Sequence, residues 1–281
     1  MPELPEVETV RLGLERRILG RRISSVLTAN PLVVRGNAAR LSERISGCRV
    51  KNVRRKGKTI AIELSPQKTG DSVHLVIRLG MTGQLVASPA SAPILPHTHV
   101  RIGLEGGKEE LRFRDPRRFG MLRCCTDAEA KLVLDSLGPD ALEISEEQFN
   151  RALEGRRSPI KSWLMNQRML AGLGNIYADE SLFEARIHPL TPAGLLSRGR
   201  RHQLFQSIGK VLRAAVRLQG TTFRDYIDID GNPGSFEPML LAYRRTGRPC
   251  RRCGAPIARV IISGRSSHFC PHCQRRPRKA T

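Results

Sequence analysis

Four cysteines near the C-terminus constrain the fold of this chain more than any other feature of its sequence. Cys250 and Cys253 form one C-x2-C pair, Cys270 and Cys273 form a second, and sixteen residues separate the two pairs. Each pair can present two thiolates from a tight turn, which is the ligand pattern of a zinc site. A site with four sulfur ligands has no open coordination position. We therefore predict one structural Zn²⁺ ion per chain.

The segment between the two cysteine pairs predicts a small β-ribbon. Residues 258–269, ARVIISGRSSHF, are typical of two short strands joined at Ser263 and Gly264. The arginines of such a ribbon would suit a DNA groove. We expect His268 and His272 to point outward. Three further cysteines are expected to be buried as small apolar side chains: Cys48, Cys124 and Cys125.

The charge of the chain indicates the class of its partner. The 281 residues include 48 Lys and Arg against 26 Asp and Glu, a formal net charge of +22. A field this positive raises the local concentration of polyanions, so nucleic acid is the expected partner. No stretch is apolar enough to span a bilayer, and Glu3, Glu6 and Glu8 stand where a signal peptide would be basic and then apolar. We expect a cytoplasmic, nucleoid-associated protein that does not bind membranes.

The period of the apolar residues changes along the chain. Over residues 5–19 it is helical, with acids first and arginines last, which predicts an N-terminal helix. Over about 23–123 the period is two and Gly- and Pro-bearing turns intervene, which predicts an antiparallel sandwich or barrel. After about residue 138 the period is helical again, and 228–238 is a Gly- and Pro-containing loop. The pattern predicts an α+β chain with two domains.

Six blocks of the sequence occur in the same order as in bacterial formamidopyrimidine-DNA glycosylases, and together they span nearly the whole chain. The blocks are MPELPEVETVR at the start, RRKGK (54–58), LGMTG (79–83), DPRRFG (115–120), GLGNIYADESLF (172–183) and GRSSHFCPHCQ (264–274). The chain therefore resembles this family, and the resemblance implies excision of oxidised purines from duplex DNA followed by cleavage of the strand.

The resemblance implies an α+β fold with an N-terminal helix plus an antiparallel β-sandwich, then a helix-two-turn-helix domain with a C-terminal β-ribbon zinc finger. The implied domains are a catalytic β-sandwich at 2–137, a DNA-binding domain at 138–243 with a lesion-recognition loop at 219–236, and the finger at 244–281. From the residues alone, GLGN could also be the turn of an ordinary helix hairpin. The implied state is a monomer bound to damaged double-stranded DNA.

The resemblance also implies the catalytic residues. Once Met1 is removed, the secondary amine of Pro2 can attack the deoxyribose C1′ atom and form an iminium ion. Glu3 would donate a proton to the sugar ring oxygen, and Lys58 would contact the damaged nucleotide and assist. Arg265 would donate the proton in the second elimination. From the residues alone, Pro2 and Pro5 could simply start a helix, Glu3 could offset the helix dipole, and Lys58 could be solvated surface charge.

An enzyme that turns a nucleotide out of the duplex leaves a void to be filled. The resemblance implies that Met81 and Phe119 are apolar wedges and that Arg117 hydrogen-bonds the orphaned cytosine. From the residues alone, Met81 and Phe119 would more often belong to a core. The implied DNA contacts are His97, Arg117, Arg157, Lys161 and Asn175.

The loop at 219–236 resembles the family segment that closes over extruded 8-oxoguanine, and Arg224 and Tyr226 are its candidates for reading the base. The chain departs from the family pattern at two places. Pro96 stands where a lysine is often found, and Arg244 stands where a glycine is usual.

Two other functions are considered. An endonuclease VIII-like enzyme of the same fold would prefer oxidised pyrimidines, but that branch usually has glycine after the Pro-Glu pair, where this chain has Leu4. A catalytically silent, zinc-stabilised DNA-binding protein would account for the charge and the finger. It would leave the joint presence of Pro2, Glu3, Lys58 and Arg265 unexplained.

Overall fold

The computed structural model describes residues 2–66 and 72–276. The chain forms two compact units, one made of Met1–Ser136 with Val216–Glu237 and the other of Leu137–Ala215 with Pro238–Thr281. Within the described residues, no helix has the length and apolar character needed to cross a membrane.

The first unit begins with helix α1, Leu4–Ile18, close to the predicted 5–19. Glu3 is its N-cap residue, Pro5 lies in the first turn, and the last turn carries Arg16 and Arg17. These are the residue types that favour a helix start and a helix end. Its apolar face joins the core of the unit at four positions: Val7, Val10, Leu14 and Ile18.

Eight strands of the first unit form two four-stranded antiparallel sheets. Their bounds are β1 Ile23–Thr28, β2 Arg49–Lys56, β3 Thr59–Ser65, β4 Val73–Arg78, β5 Gln84–Pro89, β6 Thr98–Leu104, β7 Glu109–Arg114 and β8 Met121–Thr126. One sheet has the strand order β2-β3-β4-β8 and the other β1-β6-β7-β5. Residues of both sheets and of α1 share one apolar core. The predicted antiparallel sandwich with an N-terminal helix is confirmed.

Helices also occur in and after the predicted strand region. Helix α2, Ala38–Ile45, lies between β1 and β2, although the sequence analysis predicted only strands there. Its N-cap is Asn37, whose side chain accepts from the backbone N–H of Ala39 at 2.9 Å. Helix α3, Asp127–Asp135, follows β8 directly and is capped by Thr126. Side-chain caps of this kind satisfy N–H groups that the helix leaves unpaired.

Residues 216–237 return from the helical part of the chain to the first unit. The backbone N–H of Ala87 donates to the carbonyl of Ile229 at 2.8 Å. Ile229 also packs against α1, where a Cβ on Gly13 would lie 2.2 Å from its Cγ2 atom. The predicted loop 228–238 forms no strand, and only a short 3-10 turn at Glu237–Met239. The backbone hydrogen bond to β5 and the close contact with α1 explain why residues 216–237 belong to the first unit.

Within the described residues, the second unit contains four α-helices and one antiparallel hairpin of two strands. The helices are α4 Glu146–Leu153, α5 Ile160–Met165, α6 Asn175–Glu184 and α7 Arg198–Arg217, and the last turn of α7 enters the first unit. The antiparallel hairpin comprises β9 Ala258–Ile262 and β10 Arg265–Phe269. Its turn is at Ser263 and Gly264, so the predicted ribbon is confirmed.

Candidate active site and nucleic-acid interface

The start of α1 is buried rather than frayed. Pro2 is buried, and Glu3 is 1% exposed. The backbone N–H of Glu3 donates to Oε2 of Glu6 at 2.7 Å, which fixes the chain as it enters the helix. Burying a charged group is unfavourable. A role as helix cap alone therefore does not explain why the carboxyl group of Glu3 is buried.

Glu6, which the sequence analysis did not select as a site residue, connects α1 to the segment 219–236. Its Oε1 atom accepts from the backbone N–H of Thr221 at 2.7 Å, and its carbonyl accepts from the hydroxyl of Tyr226 at 3.3 Å. A Cβ on Gly220 would lie 2.7 Å from the Glu6 carboxylate, and its φ is +85°. One buried carboxylate therefore holds both Glu3 and the start of the loop. Its position three residues after the N-cap was the available signal.

The loop 219–236 is internally bonded. The hydroxyl of Thr222 donates to the carbonyl of Tyr226 and accepts from the N–H of Gly234, both at 2.9 Å. Tyr226 is 4% exposed, and burial raises the pKa of its hydroxyl. Arg224 is exposed and pairs with Asp225 at 2.9 Å. Of the two candidates for reading the base, Arg224 thus lies on the surface and Tyr226 packs beneath the loop.

Lys58 lies in the turn between β2 and β3 and is half-buried. The guanidinium of Arg55 donates to the carbonyl of Gly57 at 3.0 Å and to Oε2 of Glu8 at 2.7 Å. Gly57 has a φ of +57°, which suits glycine. The turn that carries Lys58 is therefore tied to α1 through Arg55 and Glu8.

Arg78 is a second cation beside this turn that the sequence analysis missed. It lies directly opposite Thr59 in the β3–β4 register and donates to the Thr59 hydroxyl at 3.1 Å. Burial lowers the pKa of its guanidinium. In the parts of the chain that the structure describes, it forms no ion pair with a carboxylate. A half-buried guanidinium without a carboxylate partner suits an external anion such as a phosphate.

The three proposed void-filling residues lie on two neighbouring turns of the first unit. Met81 is 36% exposed in the turn after β4, and Phe119 is 58% exposed in the turn before β8. The guanidinium of Arg117 stacks on the Phe119 ring, 4.7 Å from its centroid. Neither apolar side chain belongs to the core, which removes the structural alternative considered for them. An exposed pair of apolar side chains with a stacked arginine suits insertion into a base stack.

The two turns touch through their backbones, so we expect Gly80→Ala to be more destabilising than its φ alone requires. Gly80 (φ +64°) would place a Cβ 2.5 Å from the Gly120 nitrogen, whereas Gly107 (φ +67°) has open space. Alanine at either position should cost about 1 kcal/mol of unfolding free energy for the left-handed backbone. The steric clash should add about 1–3 kcal/mol in Gly80→Ala only. Chemical denaturation of both variants measures this, and equal losses would contradict the close packing of the turns.

His97 and Pro96 lie in the exposed segment before β6. His97 adopts a left-handed φ of 65°, and its carbonyl accepts from the N–H of Asp115 at 3.0 Å. The carbonyl of Pro96 accepts from Nε of Arg114 at 2.8 Å. The backbone is thus fixed by β7 and the turn that follows it, while the imidazole stays exposed. The departure at Pro96 leaves this arrangement intact.

In the second unit, Asn175 is the first residue of α6 and Arg157 is exposed before α5. The N-cap position is Gly174, which brings no side chain over the helix start. Oδ1 of Asn175 is buried and finds no hydrogen-bond partner in the described residues. The positive end of the α6 helix dipole, with no N-cap side chain over it, favours binding of an anion.

Lys161 is fully buried, although the sequence analysis expected it to contact DNA. Its ammonium group lies 2.7 Å from Oδ1 of Asp179 and donates to the carbonyl of Ser266 at 2.9 Å. A buried charge needs such partners. Because the group faces the interior, its position favours support of the β9–β10 hairpin over a direct phosphate contact.

The expectation that His268 points outward is wrong. The side chain is buried. The backbone N–H of His268 donates to Oδ2 of Asp179 at 2.9 Å, and the ring Nδ1 lies 2.9 Å from the same oxygen. Ser267 also donates to Asp179, at 3.1 Å. Nothing in the sequence around His268 indicates this acceptor, which lies on α6, 89 residues earlier in the chain. His272 is exposed, as expected.

The four paired cysteines converge as the spacing predicts. Their Sγ atoms all lie within 4.8 Å of one another. Cys253 and Cys270 are 3.5 Å apart and Cys250 and Cys273 are 4.0 Å apart, measured between Sγ atoms. A tetrahedral zinc site requires about 3.8 Å between sulfur atoms. The set fits one structural zinc ion, and Arg265 is exposed at the start of β10, five residues from Cys270.

The segment leading to the finger is held by Glu180 of α6. Its carboxylate accepts from the backbone N–H groups of Leu241, Ala242 and Tyr243 at 2.8–2.9 Å. Burial raises the pKa of this carboxyl. Arg244 follows with a φ of 58°, a conformation that favours glycine. The second departure from the family pattern therefore falls on left-handed backbone.

The remaining unpaired cysteines are mostly buried, as expected. Cys48 and Cys125 are buried, and Cys124 is half-buried. Burial raises the pKa of the Cys124 thiol to about 11. A thiol with so high a pKa is a poor nucleophile at neutral pH.

Three family models match consecutive parts of the chain. The N-terminal domain of formamidopyrimidine-DNA glycosylase matches residues 1–122, and the H2TH domain of the same enzyme matches 137–226. A zinc finger found in FPG and IleRS matches 247–276. The three matches follow the order of the sandwich, the helices and the cysteine site.

Relatives match over almost the full length. The chain is 39% identical to the formamidopyrimidine-DNA glycosylase of Marinobacter nauticus and 41% identical to that of Herpetosiphon aurantiacus, over 98% of this chain and 100% of each relative. Lactococcus lactis Fpg in complex with DNA containing an abasic site matches with a TM-score of 0.89 and 33% identity, over 98% of this chain and 100% of that one. The chain therefore belongs to the formamidopyrimidine-DNA glycosylase family.

Proposed function

We propose that this protein excises oxidised purines, 8-oxoguanine and formamidopyrimidines, from duplex DNA and then cuts the strand by β,δ-elimination. The observation that carries the proposal is the buried start of α1. Pro2 and Glu3 are both buried there, and Glu6 ties the same turn to the loop 219–236. The link from this turn to the loop supports the proposal that the Pro2 amine, once Met1 is removed, and the Glu3 carboxyl group act on a nucleotide that the loop covers. Met1 itself lies outside the described residues.

The chemistry follows from the amine. The nitrogen of Pro2 forms a bond to C1′ of the damaged nucleotide while the bond from C1′ to the base breaks, and the base leaves with a proton. Glu3 donates a proton to the ring oxygen, which opens the sugar and yields an iminium ion. Loss of a proton from C2′ then expels the 3′ phosphate, and a second elimination expels the 5′ phosphate. Water then hydrolyses the iminium bond between Pro2 and the sugar fragment, which frees the amine. The product is a one-nucleotide gap with a phosphate at each end.

The other catalytic residues act on charge and proton transfer. Lys58 lies half-buried on a turn tied to α1 and is proposed to bind the phosphates and assist catalysis. Arg78 adds a neighbouring cation on β4. Arg265, on the zinc-supported hairpin, is proposed to donate the proton in the second elimination.

The proposed DNA contacts divide by exposure. His97, Arg117 and Arg157 are exposed and suit direct contact, and Asn175 suits it through the start of α6. Lys161 is proposed to act indirectly, by holding the hairpin that carries Arg265. Met81, Arg117 and Phe119 are proposed to fill the void in the duplex. The relatives solved with DNA include a MutM complex with carbocyclic 8-oxo-G containing DNA, which supports the substrate class.

We also propose a domain organisation and a cellular location for the protein. The proposed domains along the chain are 2–137, 138–243 with the loop 219–236, and 244–281, of which 277–281 lie outside the described residues. The loop of the second proposed domain packs within the first compact unit. The protein is proposed to act as a monomer in the cytoplasm, at the nucleoid.

The substrate class is tested with two lesions. We expect faster release of 8-oxoguanine opposite cytosine than of thymine glycol, measured as single-turnover rates on duplexes that differ only at the lesion. The void-filling residues and the loop 219–236 resemble those of the family members that act on oxidised purines. A binding pocket can discriminate between bases through its buried polar groups. Faster release of thymine glycol would instead favour an endonuclease VIII-like function.

The same assay separates an enzyme from a silent DNA-binding protein. The silent protein would bind both duplexes with strong salt dependence and release neither base. Binding without any strand cleavage would therefore reject the proposed function.

A further inference from the structure

Asp115 is a fully buried carboxylate between the two turns that carry Met81 and Arg117. It is 0% exposed. Its Oδ1 atom accepts from the hydroxyl of Thr82 at 2.5 Å and from the backbone N–H of Arg117 at 3.2 Å. Its Oδ2 atom accepts from the backbone N–H of Gly120 at 2.7 Å. One side chain therefore holds both ends of the segment 117–120 and connects it to the neighbouring turn.

No cation balances this buried charge among residues 2–66 and 72–276. Buried carboxylates are normally paired with a cation or a metal, because desolvation of an unpaired charge is costly. Asp115 instead depends on hydrogen bonds from one hydroxyl and two backbone N–H groups. A buried network whose members are satisfied in this way rigidifies the segments that it joins.

The main chain of Asp115 extends the same support. Its carbonyl accepts from Nε2 of His99 at 2.8 Å and from the N–H of Arg118 at 3.2 Å. Arg118 has a left-handed φ of 57°, so the turn needs bonds of this kind to keep its shape. The hydroxyl of Thr82 also accepts from the N–H of Arg117, at 3.3 Å.

We propose that Asp115 is a positioning residue that determines specificity for the base opposite the lesion. By fixing the turn of Met81 against the turn of Arg117 and Phe119, it sets where the Arg117 guanidinium meets the unpaired base. Two hydrogen bonds from a guanidinium to a base require placement to within a fraction of an ångström, so a small displacement of the turn weakens discrimination between bases. The inference rests on the proposed function, in which Arg117 contacts the orphaned cytosine.

Asparagine at this position keeps the shape and disrupts the bonds. In Asp115→Asn one acceptor oxygen becomes an NH2 group, which then faces either the Gly120 N–H or the Thr82 and Arg117 donors. Two opposed donors repel and at least one bond is lost. The catalytic residues Pro2, Glu3 and Lys58 lie on other elements and are unchanged.

The test compares excision of 8-oxoguanine opposite cytosine and opposite adenine, as the ratio of the two kcat/KM values. For Asp115→Asn we expect the ratio to fall about tenfold or more, the discrimination that one good arginine–base contact provides. Borohydride trapping on a preformed abasic site, which needs no reading of the opposite base, should stay within about threefold of the wild type. A general structural defect would lower both.

Two controls accompany the variant. Asp127→Asn makes the same charge change at a side chain that is 65% exposed and should leave the ratio unchanged. Thr82→Val removes one donor to Asp115, and Thr82→Ser keeps it. We expect Thr82→Val to lower the ratio and Thr82→Ser to restore it, which also tests the inference if Asp115→Asn does not fold.

The outcomes are distinguishable. An unchanged cytosine-to-adenine ratio in folded Asp115→Asn, or in Thr82→Val, would overturn the role of Asp115 while leaving the proposed function in place. Failure of the wild-type protein to release 8-oxoguanine from either duplex would reject the proposed function and the inference together.

Discussion

A form of the protein with an uncleaved residue ahead of Pro2 is expected to lose base excision by about a thousandfold or more, the scale seen when a catalytic nucleophile is removed. An acylated proline nitrogen is an amide and cannot attack C1′. An ordinary free N-terminal amine has a pKa of about 8, against about 10 for lysine, so a larger fraction of it is unprotonated at neutral pH. Single-turnover excision of 8-oxoguanine opposite cytosine measures the loss.

Two comparisons separate loss of the nucleophile from damage to the helix. Affinity for a duplex with a reduced abasic analogue should remain within about threefold for the blocked form, because binding needs no covalent step. Pro5→Ala should also keep excision within about threefold, since alanine is a good helix former and the amine is untouched. If Pro5→Ala were as damaging as the blocked terminus, Pro2 and Pro5 would matter only as helix-starting residues.

Removal of zinc is expected to weaken binding to duplex DNA by about a hundredfold or more and to abolish the second elimination. Structural zinc contributes about 10–16 kcal/mol of binding energy, which is also folding energy for a small finger. A lone two-stranded hairpin such as β9–β10 is only marginally stable in water. Without the metal, Arg265 would lose its fixed position. Chelation, or Cys270→Ser, followed by hydrogen exchange over residues 250–274 and DNA titration, measures both effects.

Cys124→Ser is the matched control, because it also replaces a cysteine but lies outside the zinc set. It should retain one zinc ion per chain and wild-type affinity. Metal-free protein that still binds duplex DNA as tightly as the wild type, with products of both eliminations, would contradict a structural role for the site.

Periodic patterns and short-range motifs made the main architecture predictable. The apolar spacing over 5–19 predicted α1, and alternation predicted most strands, because both reflect which face of an element meets the core. The cysteine spacing predicted the metal site, since two pairs of thiolates presented on tight turns are typical of zinc ligands. Helix α2 was missed although Asn37 can cap it and the buried Leu41 and Ile45 stand four residues apart, because its eight residues repeat that spacing only once.

Long-range contacts of polar residues were beyond the sequence. The resemblance implied that Lys161 contacts DNA, and nothing near it in the chain indicates Asp179 and Ser266, the partners of its buried ammonium group. His268 was misjudged for the same reason. Glu6 and Asp115 lie in two of the blocks shared with the family, but the sequence does not indicate that Thr221 and Thr82 are their hydrogen-bond partners. Such acceptors are identified by the groups that surround them in space, which local periodicity does not encode.

Borohydride trapping on damaged DNA tests whether Pro2 carries the covalent intermediate. The protein is mixed with a duplex that contains 8-oxoguanine opposite cytosine, reduced with borohydride, digested, and the cross-linked peptide is sequenced by mass spectrometry. We expect a stable adduct on the N-terminal peptide, attached at the nitrogen of Pro2. An adduct on Lys58 or another lysine, or tight duplex binding with no adduct at all, would contradict it.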